Sequence, residues 1–387
     1  MIYENDCTLP KEYIEWLARE GLEGLPELIR LLVNEAMCME REQHLNARPY
    51  ERNQDRQGHA NGYKPKTVKT RVGEITFDVP QVREGGFYPE ALEKGLRSER
   101  ALTLTMAEMY VQGVSTRKVS AIIKQLCGTG VSASQVSRAA ELMDEMLSTW
   151  RKRTLSEVIY LILDARYEKV RQAGRVQDAA ILMACGVKRD GKRAILGVSV
   201  SLSEAAEHWR AFLESLVDRG LHGVQLIISD DHVGLEAARK AVFSSIPWQR
   251  CQFHLQQNAQ AYVPRVGMRR EVAEDIRTIF NAPDRETAQT YLDKAVDKYT
   301  TLAPRLADWM EMNIPEGFTV FSFPKEHQRR LRTANGLERL SQEIKRRTRV
   351  VRVFPNEDSC LRLVSAILME VNEEYEFGRI YLYINSS

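Results

Sequence analysis

The chain has 387 residues, enough for two or three domains and a sizeable buried core. Hydrophobic residues make up 43% and charged residues 28%, the balance of an ordinary soluble protein, with no repeat or low-complexity tract. The formal charge of +2 hides strong local segregation, and no apolar run approaches the roughly 20 residues that cross a membrane.

Residues 1–40 read as helical, with Leu25, Leu28, Leu31, Leu32 and Ala36 at amphipathic spacing. The N-terminus lacks a basic region followed by an apolar one, so no secretory signal is expected. Residues 41–73 turn polar and basic. Arg48, Arg52, Lys64, Lys66 and Lys69 stand beside Tyr50, Tyr63 and the turn-prone pair Asn61-Gly62. Such a stretch can follow a phosphate chain, and a solvated linker has the same composition. Residues 72–79 alternate like a strand, and residues 78–83 suit an exposed hairpin.

Residues 98–150 predict a run of helices over 102–112, 116–126 and 133–147, with Ser132 as N-cap of the last. Helix, short glycine turn, helix is the pattern of a helix-turn-helix, although any small bundle can contain it. Arg117 and Lys118 lie outside the apolar stripe of the first helix. Ser134, Gln135, Ser137 and Arg138 lie near the start of the second. Side chains of these types contact base edges and phosphates.

A mixed α/β region begins near residue 155. The apolar run 158–163 ends in Asp164, and the apolar run 224–229 drops into Asp230, Asp231 and His232. Strands buried on both faces read as continuous apolar runs, and open α/β sheets bind ligands at the carboxyl ends of their strands. Two such strands, each closing on an aspartate, predict one site where the tips converge. Between them, residues 179–187 and 194–202 form a hairpin. Residues 203–219 form a helix with Ser203 as N-cap. A helix over 234–242 and a short segment 248–254, carrying Cys251 and His254, follow. Strand, hairpin, helix, strand, helix, strand, helix fits a ribonuclease H-like mixed sheet: three antiparallel strands, then parallel ones.

Residues 265–327 predict an all-helical insertion. Residues 329–349 are densely basic and include Arg339, Lys345, Arg346 and Arg347. A helix over 336–349 can turn Leu337, Glu338, Leu340 and Ile344 toward the sheet. So many like charges on one helix repel unless an anion is near, and DNA phosphate would supply it; the plain alternative is a solvated helix.

Asp164, Asp230 and Glu338, if they converge, repel as anions unless a cation neutralises them. Oxygen-only ligands favour Mg²⁺ or Mn²⁺, and two such ions about 4 Å apart can serve both oxygens of a phosphodiester displacement. The reading from the residues is metal-dependent phosphoryl transfer on DNA. The Cys251-x-x-His254 pair could begin a zinc site, but no second pair follows at finger spacing; a helix-start pair supporting the carboxylates is the other reading. His232 could contact phosphate, order the carboxylates or simply pack. Arg347 is a candidate for phosphate contact and Glu343 for an ion pair. Six scattered cysteines suit reduced thiols in a cytosolic protein.

Four segments in order carry a resemblance. Residues 161–167 (LILDARY), 228–235 (ISDDHVGL), 248–254 (WQRCQFH) and 335–349 (NGLERLSQEIKRRTR) are similar to the motifs of the Mutator-type family of bacterial insertion-sequence transposases. The resemblance implies an Asp-Asp-Glu centre on a ribonuclease H-like fold, made of Asp164, Asp230 and Glu338 with Mg²⁺ or Mn²⁺. It assigns the second acid to Asp230 rather than Asp231. His232, Cys251, His254, Asn335 and Arg347 would support the centre. Such enzymes free the 3′-hydroxyl at an element's end, and that hydroxyl attacks target DNA. The implied partner is double-stranded DNA, at the terminal inverted repeats and the target. Pairing two ends implies at least a dimer, in the bacterial cytoplasm at the nucleoid. The competing functions are a DNA-binding derivative that no longer cuts and a ribonuclease H-like nuclease or resolvase.

The expected organisation is a helical and basic region (1–97) and a helix-turn-helix domain (98–153). The core then comes in two parts, 154–264 and 328–387, around the helical insertion 265–327.

Overall fold

The protein is described from a computed structural model covering residues 11–52, 54–83, 86–92, 94 and 98–384. The chain divides into two compact units, Met1–Leu142 and Met143–Ser387.

In the first unit, α1 (Lys11–Glu20) and α2 (Leu25–Leu45) precede a hairpin of β1 (Ala60–Thr70) and β2 (Gly73–Val82). Helices α3 (Arg100–Val111), α4 (Thr116–Cys127) and α5 (Ala133–Glu141) follow. A third of the basic stretch is therefore strand, with Thr67 facing Thr76 and Val68 facing Ile75. Residues 78–83 are not a separate hairpin. They continue the second arm, because Val68, Ile75, Phe77 and Val79 bury against Met37 of α2. The expected N-cap at Ser132 is present as a capping box: Gln135 N donates to Ser132 Oγ (3.2 Å) and Ser132 N donates to Gln135 Oε1 (2.8 Å). Gly128 closes α4 at φ +67°, a left-handed conformation that glycine adopts without a Cβ penalty.

The helix expected over 133–147 is two helices. The first, α5, buries Val136, Ala139 and Ala140 within the first unit. The second, α6 (Asp144–Lys152), opens the second unit, where Asp144 Oδ1 accepts from Arg362 Nε at 2.6 Å.

The second unit is built on β3 (Val158–Gln172), β4 (Arg175–Lys188), β5 (Arg193–Ser201), α7 (Ala206–Asp218), β6 (Leu226–Ser229), α8 (Val233–Val242), β7 (Trp248–Arg250) and α9 (Gln252–Ala259). The five strands lie in the order β5-β4-β3-β6-β7. The pairs β3/β4 and β4/β5 are antiparallel, and β3/β6 and β6/β7 are parallel. This is the expected α/β arrangement of three antiparallel strands followed by parallel ones. Trp209, Phe212, Leu213 and Leu216 of α7 pack with Leu161, Leu163 and Ile227 on one face.

Two local expectations are corrected. Asp164 is not a strand tip: β3 continues to Gln172 because its antiparallel neighbour keeps pairing from Asp164↔Met183 to Gln172↔Arg175. Its parallel neighbour ends sooner, the last pair being Ile162↔Ile228. Asp164 is therefore mid-strand on one side and beside an open strand end on the other. Ser203 does not cap α7; Ala205 occupies the N-cap without a side-chain bond, and the Ser203 carbonyl accepts from Ser201 Oγ at 2.8 Å.

Gly234, in the first turn of α8, is buried where a Cβ would strike the Glu204 carbonyl oxygen and sit 3.1 Å from Ala206 N. Gly234→Ala is expected to cost about 1–3 kcal/mol, as overpacking does. Chemical denaturation measures it, and an unchanged midpoint would rule out the close approach.

Next come α10 (Arg269–Phe280), α11 (Arg285–Leu302) and α12 (Pro304–Asn313), which share a core with Leu255 and Ala259 of α9. The chain then returns to β7: Gln249 Nε2 and Gln252 Nε2 both donate to Gly317 O, at 2.9 and 2.8 Å. Helices α13 (Lys325–Leu331), α14 (Asn335–Thr348) and α15 (Glu357–Phe377) complete the unit. Leu337, Leu340 and Ile344 of α14 are buried, as their spacing predicted. None of the described helices is long and apolar enough to cross a membrane. The described cysteines, Cys38, Cys127, Cys185, Cys251 and Cys360, are free thiols.

Candidate active site

Sheet geometry brings the two aspartates to one edge. Asp164 lies within β3, two residues beyond that strand's last pairing with β6, and Asp230 directly follows β6. Glu338 arrives on the first turn of α14. Two main-chain bonds set that turn against the start of α9: Gln252 N donates to Arg332 O (2.9 Å), and Ala334 N donates to Cys251 Sγ (3.3 Å). Farther along α14, Ser341 Oγ donates to Asp164 Oδ2 at 3.4 Å, and the Arg166 guanidinium donates to the Ser341 carbonyl.

His254 stands among the three carboxylates. Its Nδ1 is 3.9 Å from Asp230 Oδ2. A ring nitrogen of His254, Cys251 Sγ and a Glu338 carboxylate oxygen lie within 4.8 Å of one another. Burial opposes the imidazolium charge, but the adjacent Cys251 thiol, Asp230 and Asp164 outweigh it and hold the ring's pKa up at about 9. Burial pushes the Asp164 carboxyl up to about 6, with His254, the Ala165 backbone and Ser341 pulling the other way and Glu338 adding repulsion. Burial raises Glu338 as well, against the attraction of His254. Glu338 Oε1 is buried and has no hydrogen-bond partner among the described residues. An orphaned buried carboxylate oxygen is costly unless something cationic meets it. The imidazolium is the positive charge the protein itself supplies here.

The neighbouring acid is directed elsewhere. Asp231 Oδ2 lies 3.2 Å from Arg250 Nη1, which also contacts Glu316 (2.8 Å) and Asn313 (3.0 Å). Arg250, the last residue of β7, is buried, and its role as an anchor has no local mark in the sequence. His232 turns its Nε2 to Glu204 Oε2 at 3.2 Å, and Glu204 also accepts from Tyr167 Oη at 2.9 Å. So His232 is tied to the loop before α7 rather than to Asp164 or Glu338. Asn335 opens α14, and its side chain lies outside the described residues.

Arg347 requires a correction. Its buried guanidinium binds Glu343 at 2.6 Å and Glu370 at 2.5 Å, so it is committed to two carboxylates and not presented to a phosphate. Arg346 also pairs with Glu343, at 2.7 Å, and these bonds hold Glu343 down at about 2. Arg346 keeps its exposure, and Arg339 and Lys345 are exposed on α14. In the first unit Arg117, Lys118, Ser134 and Arg138 are exposed and Ser137 is half-buried, while Gln135 is engaged in the capping box.

A family model described as the Mutator family of transposases matches residues 11–378. The transposase for insertion sequence element IS406 of Burkholderia multivorans is 57% identical over 371 residues, 95% of this chain and 96% of that one. The transposase for insertion sequence element ISRM5 of Rhizobium meliloti is 44% identical, covering 93% of this chain and 90% of that one. The transposase for IS256 in transposon Tn4001 of Staphylococcus aureus is 37% identical, covering 91% and 90%. Among solved structures, a chain of the simian T-cell lymphotropic virus intasome complex superposes with a TM-score of 0.17 at 10% identity, over 54% of this chain and 66% of that one, too loosely to carry an argument. With the match running through both units and through all three candidate carboxylates, the chain belongs to the Mutator family of transposases.

Proposed function

We propose that this chain is a transposase that cuts and joins DNA strands at the terminal inverted repeats of an insertion sequence, on a ribonuclease H-like core. The observation that carries the reading is the convergence of Asp164, Asp230 and Glu338 on His254, with Glu338 Oε1 left unsatisfied. The donor types suit a hard divalent cation, being carboxylates from three elements with one oxygen buried and orphaned, while the trio of ligand atoms within 4.8 Å of one another is Cys251, His254 and Glu338. Asp164, Asp230 and Glu338 would hold Mg²⁺ or Mn²⁺, which supplies charge stabilisation at the oxygens of an in-line displacement at phosphorus.

The protein's own residues do the rest. Ser341 and Arg166 fix α14 against β3, so that Glu338 and Asp164 keep their spacing. Cys251, by accepting from Ala334 N, sets the first turn of α14 beside His254. Arg250 holds Asp231 off the centre and leaves Asp230 as the second acid. DNA would be engaged by Arg117, Lys118, Ser134, Ser137 and Arg138 of the helix-turn-helix segment, and by Arg339, Lys345 and Arg346 of α14. Bringing two ends together would need at least two copies of the chain.

The test is strand cleavage on a labelled duplex carrying the element's terminal repeat, with Mg²⁺ or Mn²⁺. Asp230→Asn and Glu338→Gln are expected to lower the rate by about a thousandfold, several kcal/mol of lost stabilisation. Asp231→Asn is expected to stay within about tenfold of the parent, since that carboxylate serves Arg250. A dead Asp231→Asn beside an active Asp230→Asn would reverse the assignment. A parent chain that binds ends but never cuts them would be a DNA-binding derivative of the family.

A further inference from the structure

Resting on the reading of the chain as a DNA-processing enzyme, we propose that an arginine-lined cavity beside α14, walled by the C-terminal stretch, seats the phosphodiester backbone of a DNA strand. The cavity holds about 390 Å³, and Arg193, Arg329, Arg330, Arg339 and Arg379 converge on it. Glu374 is the one carboxylate in its lining. Among the described residues none of the five guanidinium groups has a carboxylate within ion-pair distance, Glu374 included. Three other arginines of this unit are each held by carboxylates: Arg347 by two, Arg250 by two and Arg362 by Asp144. Five uncompensated guanidinium groups around one cavity repel one another unless an anion arrives, and the planar fork of arginine matches phosphate.

Aromatic rings hold this charge in place without cancelling it. The Arg193 guanidinium lies 3.9 Å from the Tyr375 ring centroid and 4.7 Å from that of Tyr381, and the Arg330 guanidinium lies 4.9 Å from the Tyr381 ring. The wall that presents Tyr381 is itself fixed. Gly191, at φ +78°, accepts at its carbonyl from Tyr381 N (2.9 Å) and Leu382 N (3.1 Å), and a Cβ there would overlap the Leu382 carbonyl. The Tyr383 carbonyl accepts from His327 Nε2 at 2.8 Å, so His327 Nδ1 is the acceptor for Tyr160 Oη, also at 2.8 Å. Residues 374–381 thus close one side of the proposed anion site.

A strand fits better than a free phosphate. Four of the five arginines are exposed, so the site opens outward. Arg346, exposed although paired with Glu343, lies seven residues beyond Arg339, on the same side of α14 and about 10 Å along it, which continues the line of the helix past the cavity. Glu338 adjoins Arg339 in sequence, so a strand seated here runs along the helix that carries the proposed catalytic glutamate.

The test is the salt dependence of DNA binding by the full chain, in metal-free buffer, on a fluorescent duplex carrying the terminal repeat. Arg330→Gln combined with Arg379→Gln is expected to weaken binding by roughly tenfold or more and to reduce the slope of log affinity against log salt by about 2, one unit per lost phosphate contact. Arg330→Lys, which keeps charge and loses the fork, should fall between. Arg210→Gln, at an exposed arginine paired with Glu214 on α7, should leave both quantities unchanged. Parental slope and affinity in a double variant that melts normally would overturn the proposal. So would a melting shift of the parent, lost in the double variant, with inorganic phosphate while DNA binding is untouched; the cavity would then be a free-anion site. Cleavage is scored separately. Ends cut normally, with the double variant binding like the parent, would remove the pocket alone. A lost slope with no cleavage by the parent would remove the transposase reading and leave the pocket.

Discussion

Asp164→Asn is expected to reduce strand cleavage by about a thousandfold or more while leaving the fold as stable as the parent's or more so. The two effects separate because Asp164 is held at a stability cost in cation-free buffer. Burial raises its folded pKa from the ordinary 3.8 to about 6, so the folded chain keeps the proton that the unfolded chain releases. The sign follows: as pH rises from about 4 through about 6, ionisation of Asp164 removes stability from the folded state. Asparagine cannot ionise and does not suffer that loss. Melting curves at pH 4 to 7 in chelator should therefore show the parent falling toward, or below, Asp164→Asn across that window. Added Mg²⁺ should raise the parent at pH 7 and leave the variant where it was. A variant that melts far below the parent at pH 7 in chelator would mean that Asp164 is structural.

Arg347→Met should be the most destabilising single change on α14. The guanidinium is buried between Glu343 and Glu370, and breaking such a cluster from the cationic side costs about 3–5 kcal/mol because the acids lose their partner. Arg347→Lys should recover only part of this, since one ammonium cannot replace two forked contacts. Chemical denaturation reads both changes. Glu343, held at about 2, adds a pH signature: its contribution is present above its ordinary 4.5 and is lost as the solution is acidified toward 2. A destabilisation under 1 kcal/mol, with DNA affinity sharply reduced, would return Arg347 to the role of a phosphate contact.

The sequence was most readable where burial dictates residue type. Val158 to Leu163 and Leu226 to Ser229 are buried throughout, and their unbroken apolar runs marked the central strands. Ser132 announced its helix because an N-cap is a local bond that needs no distant partner. The rest depended on partners far away in sequence. The first strand of the N-terminal hairpin has one strongly buried apolar residue, Val68, and its lysines read as a basic linker. Strand β3 runs past Asp164 only because β4 keeps pairing with its polar half. Arg347 looked available to DNA until Glu370, 23 residues on, came to meet it. Arg250 and the chain's C-terminal stretch gave no local sign of their roles, since the residues they bind, Asp231, Glu316 and Gly191, are brought there by the fold. The three candidate carboxylates were found by type and motif. That they share one imidazole, His254, was visible only in three dimensions.

The most direct measurement is anomalous scattering from crystals of the full chain soaked in Mn²⁺. The proposed centre predicts manganese density among the carboxylate oxygens of Asp164, Asp230 and Glu338, weakened in Asp164→Asn. Density on Cys251 and His254 with Asp164 and Asp230 bare, or no density at millimolar Mn²⁺, would contradict a three-carboxylate centre.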